Sequence, residues 1–191
     1  MPIPQTPAEM EAILLSKLKA DTGHELQEWM DLIAKESFEK PTQILHWLKE
    51  SFNVKHGTAY VLGVIYFNDR KPVYADQEGL LNKQFEKKEE LRPLYDELET
   101  WIKEQNPEVK FGICKGYVSL LAKKQCAVIV VCKDGVWLGL ALDPNEDHPE
   151  LKDAKVLRVS EKINRAIQIQ ESSDLNVLAE KYWSLAVNRF S

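Results

Sequence analysis

The chain predicts an α+β protein: an N-terminal four-helix bundle followed by a helix, an antiparallel sheet and a closing helix in two layers. Three observations carry this. Apolar residues recur at helical spacing over the first third, broken by Gly and Pro. After Asn106-Pro107 the period drops from 3.6 to 2, with Val109, Phe111 and Ile113 alternating with Lys110 and Gly112. Asp134-Gly135 then separates two apolar runs, the strongest short hairpin signal available.

Thr6-Pro7-Ala8-Glu9 opens the first helix, with Thr as N-cap and Pro at the first position. Met10, Ile13, Leu14 and Leu18 give it an apolar face, and Gly23 ends it. A second helix runs from about Glu25 to Glu36, and Pro41-Thr42 starts a third. His56-Gly57 turns into a fourth, ending near Asn68. Trp29 and Trp47 fall on apolar faces of neighbouring helices and are expected in one shared core. This makes residues 1–68 a small helical module. Residues 69–92, with Lys87-Lys88-Glu89-Glu90 inside, read as a charged linker or helix.

Residues 93–191 form the α+β domain. Leu94, Leu98, Trp101 and Ile102 mark its first helix. Strands are expected at 109–113, 117–122, 127–131, 136–142, 155–159 and 166–170. The run Ala127–Val131, apolar on both faces, belongs in the middle of the sheet. Ser173-Asp174 caps a final helix through Tyr182 and Trp183.

The net charge of −5 argues against a surface built throughout for nucleic acid. The first residues lack the basic start and apolar run of a signal peptide, and no apolar run is long enough to span a bilayer. Three cysteines without a C-x-x-C pair point to core thiols in a reducing cytoplasm. The four histidines are scattered with no zinc spacing, and phosphate-loop and nucleophile-elbow motifs are missing. Ser119 lies mid-strand, where a nucleophile is poorly exposed. No catalytic residue, resident metal or cofactor is therefore expected.

Two binding features remain. The loop Asp143–Glu150 has four carboxylates and an amide, but without the alternation and central Gly of a calcium loop it reads first as a solvated hairpin exit. Strand alternation puts Lys115, Tyr117 and Ser119 on one face, to which Lys123-Lys124, Arg158, Lys162 and Arg165 can be brought by an antiparallel sheet. A cationic face with a tyrosine suits an anionic ligand or partner; a plain polar outer face is the alternative. Residues 43–64 also allow a helix-turn-helix reading, but Thr58–Phe67 has no Arg or Lys for base edges.

The motifs Thr22-Gly23, Trp29, Trp47-Leu48-Lys49 and His56-Gly57-Thr58-Ala59 resemble the short bacterial helical family named domain of unknown function 4287. The second half is similar to domain of unknown function 5655, through Leu94-Tyr95-Asp96-Glu97-Leu98, Lys115-Gly116-Tyr117-Val118, Leu138-Gly139-Leu140, Asp143-Pro144 and Tyr182. The resemblance implies no assigned activity. It implies a module that also occurs beside predicted nucleases, that has been labelled a transport component, and that looks distantly like small α+β modules proposed to chaperone iron. The resulting expectation is a cytoplasmic, non-enzymatic, two-module binding or adaptor protein holding an anionic ligand or protein partner on its sheet face. Nucleic-acid association is a second reading and weak iron carriage a third. No membrane role is expected.

Overall fold

A computed structural model describes residues 5–146 and 148–190. The N-terminal Met1–Pro4 and loop residue Asp147, both part of the sequence reading, lie outside the described residues. The chain divides into two compact units, Pro7–Asp76 and a second beginning at Gln77.

The first unit holds α1 (Pro7–Thr22), α2 (Leu26–Ile33), α3 (Pro41–Phe52) and α4 (His56–Tyr66). The Glu28 carboxylate accepts the Glu25 N–H at 2.7 Å to start α2. The Gln43 side chain accepts the N–H groups of Glu39 and Lys40 to start α3. Trp29, Met30, Ile33, Ile44, Leu48, Leu62 and Ile65 are buried together. At Gly63 a Cβ would stand 2.7 Å from the Pro41 carbonyl oxygen, so glycine allows α4 to approach α3. Trp29 lies in the core and donates through Nε1 to the Thr22 hydroxyl at 2.9 Å. Trp47 is only half-buried, and Phe52 links the two indoles, edge-on to Trp29 at 5.2 Å and to Trp47 at 5.0 Å. The shared core expected for the tryptophans is thus one buried ring joined to a rim ring.

The buried face of α1 also differs from expectation. Met10 and Ile13 are exposed, while Glu11 is buried. Its carboxylate accepts the backbone N–H groups of Val73 (3.0 Å) and Tyr74 (2.9 Å).

The second unit contains α5 (Gln77–Gln84), α6 (Arg92–Gln105), α7 (Val177–Asn188) and a six-stranded sheet. Its strands are β1 (Lys110–Ile113), β2 (Val118–Leu121), β3 (Gln125–Cys132), β4 (Gly135–Leu140), β5 (Lys152–Asp153) and β6 (Arg165–Ile169). Every pair is antiparallel, in the order β1-β2-β3-β4-β6-β5, with β3 central as its apolar run requires. On one face Val118, Ile129, Leu138 and Ile167 pack with Leu98, Ile102, Tyr182 and Trp183 of α6 and α7. On the other, Val128, Val130, Trp137 and Ala166 pack with Ala154, Leu157 and Ile163.

The strand expected at Lys155–Val159 is a 3₁₀ turn, Ala154–Leu157, preceded by the two-residue β5. The Asp153 side chain accepts the Lys155 N–H at 2.9 Å and curls the chain, which turns Leu157 inward and leaves Val156 exposed. The final helix is capped by Asn176, whose Oδ1 accepts the Leu178 N–H at 2.9 Å, rather than by Ser173-Asp174. The segment read as charged linker or helix is not uniform. Its part from Gln77 lies in the second unit: Phe85 is in the core, Gln84 donates to the Cys114 carbonyl at 2.9 Å, and Lys88 to that of Val131.

Candidate functional site

The five residues read as one cationic sheet face are not brought together. Lys115 is in the bend between β1 and β2, closed by the Cys114 N–H on the Tyr117 carbonyl at 2.9 Å. Lys124 is in the turn after β2, so the two lysines flank opposite ends of a strand about 13 Å long. Tyr117 packs, half-buried, on the face of Val128 and Val130. Arg165 pairs with Leu140, which pairs with Ala127, which pairs with Leu120. Those three apolar residues belong to the core beneath α6 and α7, so alternation directs Arg165 away from the Tyr117 face. Arg158, in the left-handed conformation at φ 53°, ends the 3₁₀ turn. The Tyr117 face itself is apolar, covered by Leu157 and Ile163. Gly139 makes room for that cover: a Cβ there would stand 2.7 Å from Ile163 Cγ2, 2.8 Å from Val128 Cγ2 and 3.0 Å from Leu157 Cδ1.

Cationic groups do gather at one end of the sheet, around a groove of about 760 Å³ where the chain leaves β4 and enters β6. Lys155, Lys162, Arg165 and Arg189 line it, against two carboxylates, Asp153 and Glu161. Its floor is fixed by Asn164, which accepts the Leu142 N–H at 2.9 Å and donates to the Leu142 carbonyl at 3.0 Å. The Arg189 guanidinium donates to the carbonyls of Ala141 and Leu142, so its charge is held at the wall. The Asp153 carboxyl stays below its ordinary range, first because it accepts the Lys155 N–H and then because Lys155 and Arg165 are cationic. It therefore remains an anion and partly neutralises Lys155, whose Nζ lies 3.6 Å away. Lys124 stands at this same sheet end without lining the groove: Lys123 beside it donates its N–H to the Phe190 carbonyl at 3.0 Å.

Only Arg165 of the five expected residues lines the groove. Lys155, Lys162 and Arg189 complete the cationic set. Lys162 was visible as a basic residue near Arg165. Arg189, in the last turn of the chain, gave no signal, because its place depends on α7 docking against the end of β4.

Other constellations are spread out. Among the described residues, no three His, Cys, Asp or Glu side chains form a metal-holding group. In the acidic loop the Asp143 carboxylate accepts the backbone and side-chain N–H groups of Asn145, each at 2.9 Å, in an Asx turn. Ser119 is buried and its hydroxyl accepts from the Gln125 amide at 2.9 Å. The three thiols are free. Burial pushes the Cys126 thiol up to about 11 and raises those of Cys114 and Cys132, the nearby Asp134 charge adding to the last. Such thiols are held as neutral packing groups. No described helix is long and apolar enough to cross a membrane.

Residues 81–180, just over half of the chain, match the family model described as Domain of unknown function (DUF5655). Residues 11–64 match Domain of unknown function (DUF4287). The second match lies within the four-helix unit and the first within the sheet unit. No curated protein and no solved structure matches the chain.

Proposed function

This chain belongs to the family described as Domain of unknown function (DUF5655), and we propose that it is a cytoplasmic, non-enzymatic binding or adaptor protein. Its second unit holds an anionic ligand in the groove at the end of the sheet. The observation that carries this is the cluster of Lys155, Lys162, Arg165 and Arg189 around one concavity, two positive charges in excess of the carboxylates lining it. A groove of this volume falls within the range of small-molecule sites. The excess positive charge attracts an anion by Coulomb interaction that solvent and salt screen, so it acts most strongly at low salt. The Asn164 and Arg189 contacts fix the wall in advance, which lowers the ordering cost of binding.

The two other readings have less support. The helix-turn-helix reading rests on α3 and α4 being joined by the short connection Asn53-Val54-Lys55. Yet α4 has no Lys or Arg along its length to reach a base. Iron carriage has no gathered donor set among the described residues.

The test is titration of labelled protein with inorganic phosphate at low salt, followed by amide shifts. Shifts centred on residues 153–165, weakening as salt rises, support the groove. Shifts centred on Lys115 and Tyr117 return the site to the sheet face.

A further inference from the structure

The lining of the groove limits which anion fits it, and this step rests on the reading above. We infer that the ligand is an aliphatic chain ending in a carboxylate or phosphate rather than a nucleotide. Leu142, Pro144, Ala154, Val159 and Ile163 supply the apolar part of the lining, and among the described residues no aromatic side chain belongs to it. A nucleobase draws much of its affinity from stacking on an aromatic ring or a free guanidinium face. Among the described residues no ring lines the groove, and one face of the Arg189 guanidinium is already taken by the Phe190 ring, 5.4 Å from its centroid. Aliphatic walls favour methylenes, through area burial that needs no particular ring geometry. The cations are Lys155, Lys162 and Arg165 at the β5–β6 side, with Arg189 at the end of α7. A head group meets them while its tail lies along half-buried Val159 and exposed Pro144, the apolar lining residues with open surface.

Two substitutions separate head from tail. Lys162 is exposed, so Lys162→Ala removes charge without disturbing the core. Val159 is half-buried, and Val159→Thr keeps its shape while making that wall polar.

The experiment titrates the full chain with butanoate, octanoate, octyl phosphate, inorganic phosphate and adenosine monophosphate at one ionic strength, following the amides of Ser160 to Arg165. Each methylene buried multiplies affinity about fourfold. Octanoate and octyl phosphate are therefore expected to bind at least tenfold more tightly than butanoate and inorganic phosphate. Adenosine monophosphate is expected to bind no more tightly than inorganic phosphate. Val159→Thr should weaken the long-chain ligands several-fold and leave inorganic phosphate unchanged, whereas Lys162→Ala should weaken all of them. Affinity that is flat with chain length, or adenosine monophosphate as the tightest binder at these amides, overturns the aliphatic assignment and leaves the anion groove standing. No movement of these amides with any anion overturns the groove itself.

Discussion

Glu11 shows how a single residue can run against its own helix pattern. Its neighbours Met10 and Ile13 carry the apolar spacing of α1, yet they face solvent while the carboxylate is buried at 6% exposure. Its two oxygens satisfy the Val73 and Tyr74 N–H groups, more than sixty residues away, so local spacing had no means of revealing it. Glu11→Ala leaves both donors without an acceptor and is expected to lower stability by about 2–4 kcal/mol. Glu11→Gln, which keeps one acceptor oxygen, should cost about half as much. Chemical denaturation of the two variants checks the order, and equal stability of all three proteins contradicts it. The tryptophans divide in the same way. Trp29→Ala should cost about 3–5 kcal/mol, and half-buried Trp47→Ala about half that. Apolar spacing put both rings on the right face. It could not say which would be sealed, because that is set by tertiary packing, which buries Trp29 in the core and leaves Trp47 against its edge.

The same scale fixes a pH dependence. The folded Cys126 thiol titrates near 11, above its ordinary value of 9.0. Between these values the unfolded chain releases the proton and the folded chain keeps it. Stability is therefore full below pH 9 and falls as pH rises towards 11, by about 1.4 kcal/mol per unit for this thiol. The alkaline limb of a stability–pH curve should be shallower for Cys126→Ala than for the parent chain. Parallel limbs would remove Cys126 from the alkaline loss.

At the scale of elements, local chemistry was legible where each signal was complete within a few residues. The Asp134-Gly135 turn, the four N-terminal helices, α6, and the central place of β3 all followed from spacing and punctuation. Lys155–Val159 misled because its alternation of Lys, Val, Leu, Arg and Val resembles a half-buried strand. The Asp153 side chain takes the Lys155 N–H and bends it into a turn instead. That turn brings Lys155 to the groove and Leu157 onto the sheet. Gly139 makes room for this arrangement. Gly139→Ala would press a methyl against Ile163, Val128 and Leu157 together. It is expected to destabilise the second unit by about 1–3 kcal/mol and to loosen residues 154–163. Hydrogen exchange in that segment measures the loosening; unchanged protection would mean that the cover does not depend on the glycine.

At the scale of the whole chain, charge composition marked residues 69–92 as a charged linker or helix, and the part from Gln77 carries α5 and packs into the second unit. Phe85, Gln84 and Lys88 reach the core, the Cys114 carbonyl and the Val131 carbonyl, partners invisible in a run of Lys and Glu. A fragment starting at Gln77 should therefore fold, while one starting at residue 93 should aggregate or melt at lower temperature. Equal melting of the two fragments would favour the linker reading of that segment. The groove depends on still longer reach, joining the end of β4, the segment from β5 to β6 and the last turn of α7. Its cations therefore come from separate parts of the chain. One comparison tests the anion site most directly: phosphate affinity of the full chain at low salt for Lys162→Glu and Lys115→Glu. Loss of at least tenfold in Lys162→Glu with little change in Lys115→Glu is the expected result. Loss in Lys115→Glu alone would contradict the groove and place the ligand at the opposite end of β2.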